Sequence, residues 1–209
     1  MDNTKNTEVN VMKKFVTLLL AAALLLTLVA CGNGGKETTA NGEDTTASQN
    51  VESKEPLTVL QTVWASYSDD EKFAVAGGDM SEENSKMDEP GVFSLENKEE
   101  LDATLGLSAE AAEKVDSAAS LVHMMNANTF TCGAFKVKNA DDVASLAGLL
   151  KDNILKRQWM CGFPDKLVVA SVDDVVLAFF GKNDNIDTFK AKLTAAYATA
   201  EVISESPIE

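Results

Sequence analysis

Apolar residues enter the chain in one dense block, Phe15 to Ala30, behind Lys13 and Lys14, and then almost vanish. From Gly32 to Pro56 a single aliphatic side chain larger than alanine occurs, with no aromatic. After Pro56 they return with a period. Leu57, Leu60, Val63, Trp64 and Tyr67 recur at the spacing of one helix face. Ser68 with Glu71 has capping-box spacing and Gly77–Gly78 offers a stop, which predicts a second short helical turn. An acidic loop from Met80 to Pro90 follows. Asn97 and Glu100 form another cap pair, and Leu101, Leu105 and Leu107 face inward from two short helices.

The pattern then changes period. Ala118 to Met125 and Thr129 to Lys138 are rich in β-branched, aromatic and apolar residues, and the turn-prone Asn126-Ala127-Asn128 separates them. Asn139 and Asp141 open a helix running to about Gln158, with Val143, Leu146, Ala147, Leu150 and Ile154 as its stripe. Lys151, Lys156 and Arg157 sit near its end, where the helix dipole favours cations. The same plan recurs: strands at Lys166–Ser171 and Asp174–Gly181 around Val172-Asp173, then a helix capped by Asn183 and Asp184 carrying Ile186, Phe189, Leu193 and Tyr197. At an offset of 43 residues Val137 matches Phe180, Val143 matches Ile186 and Leu150 matches Leu193, by duplication or by shared periodicity. Two ββα units predict an α+β fold: an antiparallel or mixed four-stranded sheet with helices packed on one face, and short N-terminal helices. Val175 to Phe180 is apolar on both sides, which asks for a central position or a second covering layer, one the N-terminal helices would supply. Residues 57–203 are expected to be a single domain and 204–209 a short tail.

The first apolar block has the layout of a secretory signal and is shorter than the ~20 residues of a comfortable membrane span; a retained span is the alternative. The eleven residues before Met12 are atypical of a charged n-region, so Met12 stands beside Met1 as a candidate start. Leu28, Val29 and Ala30 before Cys31, with Gly32 after it, resemble the lipobox of bacterial lipoproteins. That resemblance implies cleavage between Ala30 and Cys31 and a diacylglycerol on the Cys31 thiol. Residues 1–30 are then a signal peptide, and 31–56 a lipidated cysteine with a disordered polar stalk reaching roughly 25 to 30 Å. Two acyl chains give stable anchoring where one is marginal.

Charge narrows the partners. The net charge of −15, from 18 Lys and Arg against 33 Asp and Glu, offers no cationic footprint for a phosphate backbone, which excludes nucleic acid. Loss of residues 1–30 removes Lys5, Lys13, Lys14, Asp2 and Glu8, leaving the mature body near −16. Anionic headgroups would repel such a body, so lipid on Cys31 must hold it at the membrane.

Chemistry-bearing residues are sparse. The only histidine, His123, lies in the run HMMNANTFTC, and with Met125, Cys132, Met160 and Cys161 it could form a soft-metal site; packed core residues are the plainer reading. Cys132 and Cys161 are a candidate disulfide, since the strand after Cys132 and the helix after it return the chain to one level. Closing that loop is worth roughly 3 to 4 kcal/mol; two buried free thiols are the alternative. No CxxC activates either cysteine. The acidic groups Asp69, Asp70, Asp79, Glu82 and Glu83, like Lys182 to Asp187, lack calcium-loop spacing and read as solvated loops and caps. Adjacent carboxylates at Asp173 and Asp174 could serve hydrolysis but suit a turn. With no GxSxG, no HExxH and no glycine-rich phosphate loop, no catalytic residue, metal ligand or cofactor is assigned.

The lipobox and polar stalk, the run TLGLSAEAAEKVDSAASLVHMMNANTFTCGAFKVKNADDV, then KRQWMCGFP and DDVVLAFFGKNDNIDTFKAKL, together resemble the lipoproteins of Gram-positive anaerobes grouped as domain of unknown function 4358. The likeness spans roughly residues 57–200. It implies a small secreted α+β domain without assigned activity. The expectation is therefore a non-enzymatic binding or interaction module on the extracytoplasmic face of the cell membrane, facing an envelope protein or small solute. A copper or thiol-redox carrier and an envelope hydrolase are the alternatives.

Overall fold

The computed structural model describes residues 54–79, 81–160 and 162–209; Cys31, the signal segment, most of the stalk and Cys161 lie outside them. Helix α1 (Pro56–Ala65) begins where proline is best tolerated, at the first helical turn. Three short strands follow, β1 (Val75–Gly77), β2 (Lys86–Met87) and β3 (Gly91–Phe93). The Asn97 side chain accepts from Glu100 N–H to start α2 (Lys98–Leu105), which Gly106 ends in the left-handed region at φ 76°. Ser108 then caps α3 (Ala109–Ala112).

The two ββα units are present. The first is β4 (Val115–His123), β5 (Phe130–Val137) and, after a 3₁₀ turn over Ala140–Asp142, α4 (Val143–Leu155). The second is β6 (Lys166–Val172), β7 (Val175–Gly181) and α5 (Asn183–Ala196). A last strand, β8 (Ala200–Pro207), closes the series.

All pairings are antiparallel, in the order β2-β1-β4-β5-β7-β6-β8, with β3 beside β1 on the outer side of β4. The sheet thus has eight strands, not the four expected. Residues 204–207 are no tail: they pair with Lys166 to Val169. The short helix expected after Ser68 is a turn, in which Glu71 accepts from both Ser68 N–H and Ser68 Oγ, and the chain continues into β1.

Both faces of the sheet are covered. On one, α1 and α5 bury Leu60, Val63, Trp64, Phe189 and Leu193 against Cys132, Ala134, Leu177 and Phe179. On the other, α2, α3 and α4 bury Leu101, Leu105, Leu146, Leu150 and Ile154 against Phe135, Val176, Ala178 and Phe180. This corrects the expectation of helices on one face. It also accounts for β7, whose seven residues are all buried, as a central strand with cover on both sides. In mid-sheet Gly133 has no side chain because the Phe135 ring occupies its place: a Cβ there would come within 2.5 Å of that ring.

The helices of the two units fall on opposite faces. A two-fold axis normal to the sheet relates an antiparallel β5–β7 pair and would leave both helices on one side. The recurrence is therefore one of periodicity and element order. Five residues, 138–142, lead into α4, whereas Lys182 alone separates β7 from α5, and the short link turns the chain to the other face.

Candidate functional site

One end of the sheet gathers what the two packed faces leave over. There β4 ends, β5 and β6 begin and β7 ends, and the connecting loops 124–129 and 156–165 meet. Asn128 joins them: its Nδ2 donates to Met160 O at 3.1 Å and to Gly162 O at 2.8 Å. His123 shapes the first loop. Its Nδ1 accepts from Met125 N–H and Asn126 N–H, and its ring stacks on Phe73 with centroids 5.4 Å apart.

Between these loops and α2 lies an open cavity of about 330 Å³ lined by Ala103, Asn128, Arg157, Gln158, Trp159 and Met160. Arg157 is the only arginine in the chain. Its Nη2 donates to Asp102 O in the last turn of α2, a carbonyl that also accepts from the capping Gly106 N–H. Its guanidinium lies 5.8 Å from the Trp159 centroid and 5.6 Å from that of Phe180. Burial lowers the pKa of Arg157, and the nearby Asp102 carboxylate opposes that shift. The carboxylate itself accepts from Asn153 Nδ2 at 2.7 Å. Among the described residues the buried Trp159 Nε1–H has no acceptor, a state that costs roughly 1 to 3 kcal/mol.

The exposed large apolar side chains of this end sit on the same two loops: Met124, Met125 at 80% exposure, Met160 at 77% and Phe163 at 59%. A rotamer-rich thioether surface around a polar pocket can re-pack against differently shaped partners.

The expected soft-metal set does not converge. Cys132 is fully buried on the face under α1 and α5, while Met125 and Met160 project into solvent and His123 Nδ1 is engaged in the turn. Among the described residues no three of His, Cys, Asp and Glu gather as ligands. Cys132 carries a free thiol there, and burial pushes its pKa up, away from the reactive thiolate. Its candidate disulfide partner, Cys161, lies outside the described residues. Asp173 and Asp174 form the two-residue β6–β7 turn at the far end of the sheet, with Asp173 at φ 53° and Asp174 O accepting from Val137 N–H.

One acidic residue read as solvated is buried. Asp79 is 6% exposed and accepts from Ser81 N–H, Ser81 Oγ, Asn84 Nδ2 and Ser94 N–H. Burial pushes its pKa up, but those hydrogen bonds together outweigh it and hold the carboxyl at about 2.

Arg157 and Trp159 escaped the sequence reading as site residues because a cation after a helix already has an explanation in the helix dipole. The signal that could have flagged them was rarity: one arginine against seventeen lysines, two positions from one of two tryptophans. Scans against protein-family models, curated proteins and solved structures found no match to this chain.

Proposed function

We propose that this protein is a lipoprotein whose folded domain is a binding module held at the extracytoplasmic face of the cell membrane by diacylglyceryl Cys31. The lipobox-like Leu28-Val29-Ala30-Cys31 and the polar run behind it support the anchor. The resemblance to the domain of unknown function 4358 lipoproteins belongs to the same proposal, as does an envelope protein or small solute as partner.

The observation that carries the binding role is the concentration, at one end of the domain, of an open cavity, the sole arginine and four exposed apolar side chains. Position supports it too. The domain is entered at Glu55, whose carboxylate pairs with Lys136 Nζ at 2.6 Å near the other end of β5. Six residue steps along β5 lead from Phe130 to Lys136, roughly 20 Å of strand, so the domain is entered away from the cavity.

Two measurements test this reading. Cells given labelled palmitate should mark the wild-type chain and leave Cys31→Ser unmarked; an unlabelled wild type ends the lipoprotein reading. A thermal-shift screen of envelope solutes and peptides should raise the melting temperature for at least one ligand class, with Met160→Asp abolishing the rise. Hydrolysis of a screened compound, lost on changing one carboxylate, would replace the binding role with an enzymatic one.

A further inference from the structure

We propose that the cavity beside Arg157 takes a small carboxylate carried on a short apolar group. This rests on the binding-module reading and assigns its ligand chemistry.

Of the described residues lining the cavity, Arg157 is the one that carries a charge. Arg157 offers five N–H groups, and the hydrogen bond it makes among the described residues engages one of them, at Asp102 O. Trp159 lines the cavity beside it, its ring against the guanidinium. Asn128, by contrast, has already committed its amide protons to Met160 O and Gly162 O. A pocket with surplus N–H groups calls for an acceptor-rich guest, and a carboxylate matches a guanidinium fork in two parallel hydrogen bonds.

The fork is also set in advance. Flanked by the Trp159 and Phe180 rings and tied to α2, the guanidinium has little freedom left to lose when an anion arrives. Lysines elsewhere are committed differently: Lys114, Lys136, Lys166, Lys182, Lys190 and Lys192 each pair with a carboxylate of the domain. Arg157 instead donates to a carbonyl, and the nearby Asp102 carboxylate, which accepts from Asn153 Nδ2, leaves the other guanidinium N–H groups unengaged among the described residues.

Size and rim define the remainder of the guest. A volume of about 330 Å³ sits at the small end of ligand pockets, which run from ~300 to ~1,000 Å³, and suits a small guest. Exposed Met160 lines the cavity and Met125 and Phe163 stand on the loops that meet there, so the part of the guest beyond the carboxylate meets thioether and aromatic surface. A body of charge −15 repels anions at long range. Recognition must then come from short-range contact, and added salt, by screening that repulsion, should leave affinity unchanged or raise it.

The test uses the full chain in phospholipid nanodiscs, labelled with 5-fluorotryptophan; its two tryptophans, Trp64 and Trp159, give two fluorine resonances. Trp64 is a built-in reference, since its Nε1 donates to Asp88 O on the other side of the sheet. The probes are N-acetyl-leucine and its uncharged amide. Expected are a saturable shift of the Trp159 resonance with the acid, at least about tenfold weaker binding of the amide, the weight of one charge-assisted hydrogen bond, and loss of the difference in Arg157→Gln. Arg157→Lys keeps a donor for Asp102 O without the fork and should bind the acid about as poorly as Arg157→Gln. Affinity for the acid should not fall between about 50 and 300 mM salt. Equal binding of acid and amide, or an Arg157→Gln chain that binds the acid unchanged, overturns the carboxylate assignment and leaves the binding module standing. A Trp159 resonance that neither probe moves overturns it as well, and the thermal-shift screen then decides separately whether the domain binds anything. Should Arg157→Gln fail to fold, the acid and amide on the wild-type chain decide alone.

Discussion

The two ββα units share a hydrophobic pattern and differ in everything that joins it. In β6–β7–α5 the strands meet through two residues, Asp173 and Asp174, and the helix follows after Lys182 alone. In β4–β5–α4 the strands are joined by residues 124–129, the helix is approached through 138–142, and residues 156–165 lead away. The tight unit places its last strand at the centre of the sheet. The loose unit carries the histidine turn, the cavity and the exposed methionines. Strand and helix patterns specify what must be buried; the links decide on which face, and whether anything is left over for binding.

That division is broken most severely at Phe179 and Phe163. Phe179 is fully buried in the tight unit and packs against Phe189 with centroids 4.9 Å apart. Phe163, on the loop leaving the loose unit, is 59% exposed. Phe179→Ala should cost about 3 to 5 kcal/mol by loss of burial and creation of a cavity, and Phe163→Ala no more than about 0.5 kcal/mol. Urea unfolding of the two variants measures both. A comparable loss in the two would mean that the long loop is part of the fold and not a surplus of it.

The region between α1 and α2 sharpens the same comparison, because it too is a long connection yet is firmly held. Asp79 anchors it through Ser81, Asn84 and Ser94. Asp79→Ala should cost about 2 to 3 kcal/mol, having stranded several buried donors. The pH dependence has a definite sign. A carboxyl held at about 2 in the fold, against roughly 3.9 in the unfolded chain, stabilises the fold above pH ~4. That contribution, up to about 2 kcal/mol, disappears as pH falls from there towards 2. Denaturation of wild type and Asp79→Ala between pH 2 and 7 should give curves that converge at the acid end; parallel curves would show that Asp79 holds nothing.

How far the sequence could be read follows from the same physics. Helices α1, α2, α4 and α5 were legible because each repeats apolar residues at helical spacing, strands β4 to β7 because β-branched and apolar residues crowd between turn-prone breaks, and the Asn97 cap because its partner is three residues away. Strands β1 to β3, of two or three residues, are too short for any period to register. Strand β8 reads Ala-Glu-Val-Ile-Ser-Glu-Ser-Pro; an edge strand that buries little needs no alternation, and its bulge between Val202 and Ser204 breaks what alternation there is. Asp79 looked like any loop carboxylate because its donors lie up to fifteen residues away. The cavity was hidden for a related reason: Ala103, Asn128 and Arg157 meet only once α2 and the two loops are brought to one end of the sheet.

The smallest effect separates the two helix starts. At α5, Asp165 reaches across from the loop before β6: its Oδ2 accepts from Asn183 N–H at 3.0 Å and its Oδ1 from Lys182 Nζ at 2.9 Å. Lys182, then the Asn183 amide, hold its pKa below the usual carboxylate range. At α4, Asp142 makes no capping bond and pairs with Lys114 at 2.6 Å, which lowers its pKa as well. Both carboxylates thus favour the fold above the ordinary aspartate range, and both lose that effect as pH falls through their depressed values. Only Asp165 also accepts from an amide of a helix start. Asp165→Asn should therefore destabilise by under about 1 kcal/mol, the scale of a partly exposed charge at a helix start. Asp142→Asn should destabilise less, and the gap between the two variants should close below pH ~4. Guanidinium chloride would screen charges, so urea midpoints at low salt are the measurement. Equal losses at neutral pH would mean that an ion pair to the turn before β4 secures a helix start as well as a carboxylate on its amides, and that the two units differ in their links but not in how their helices are begun.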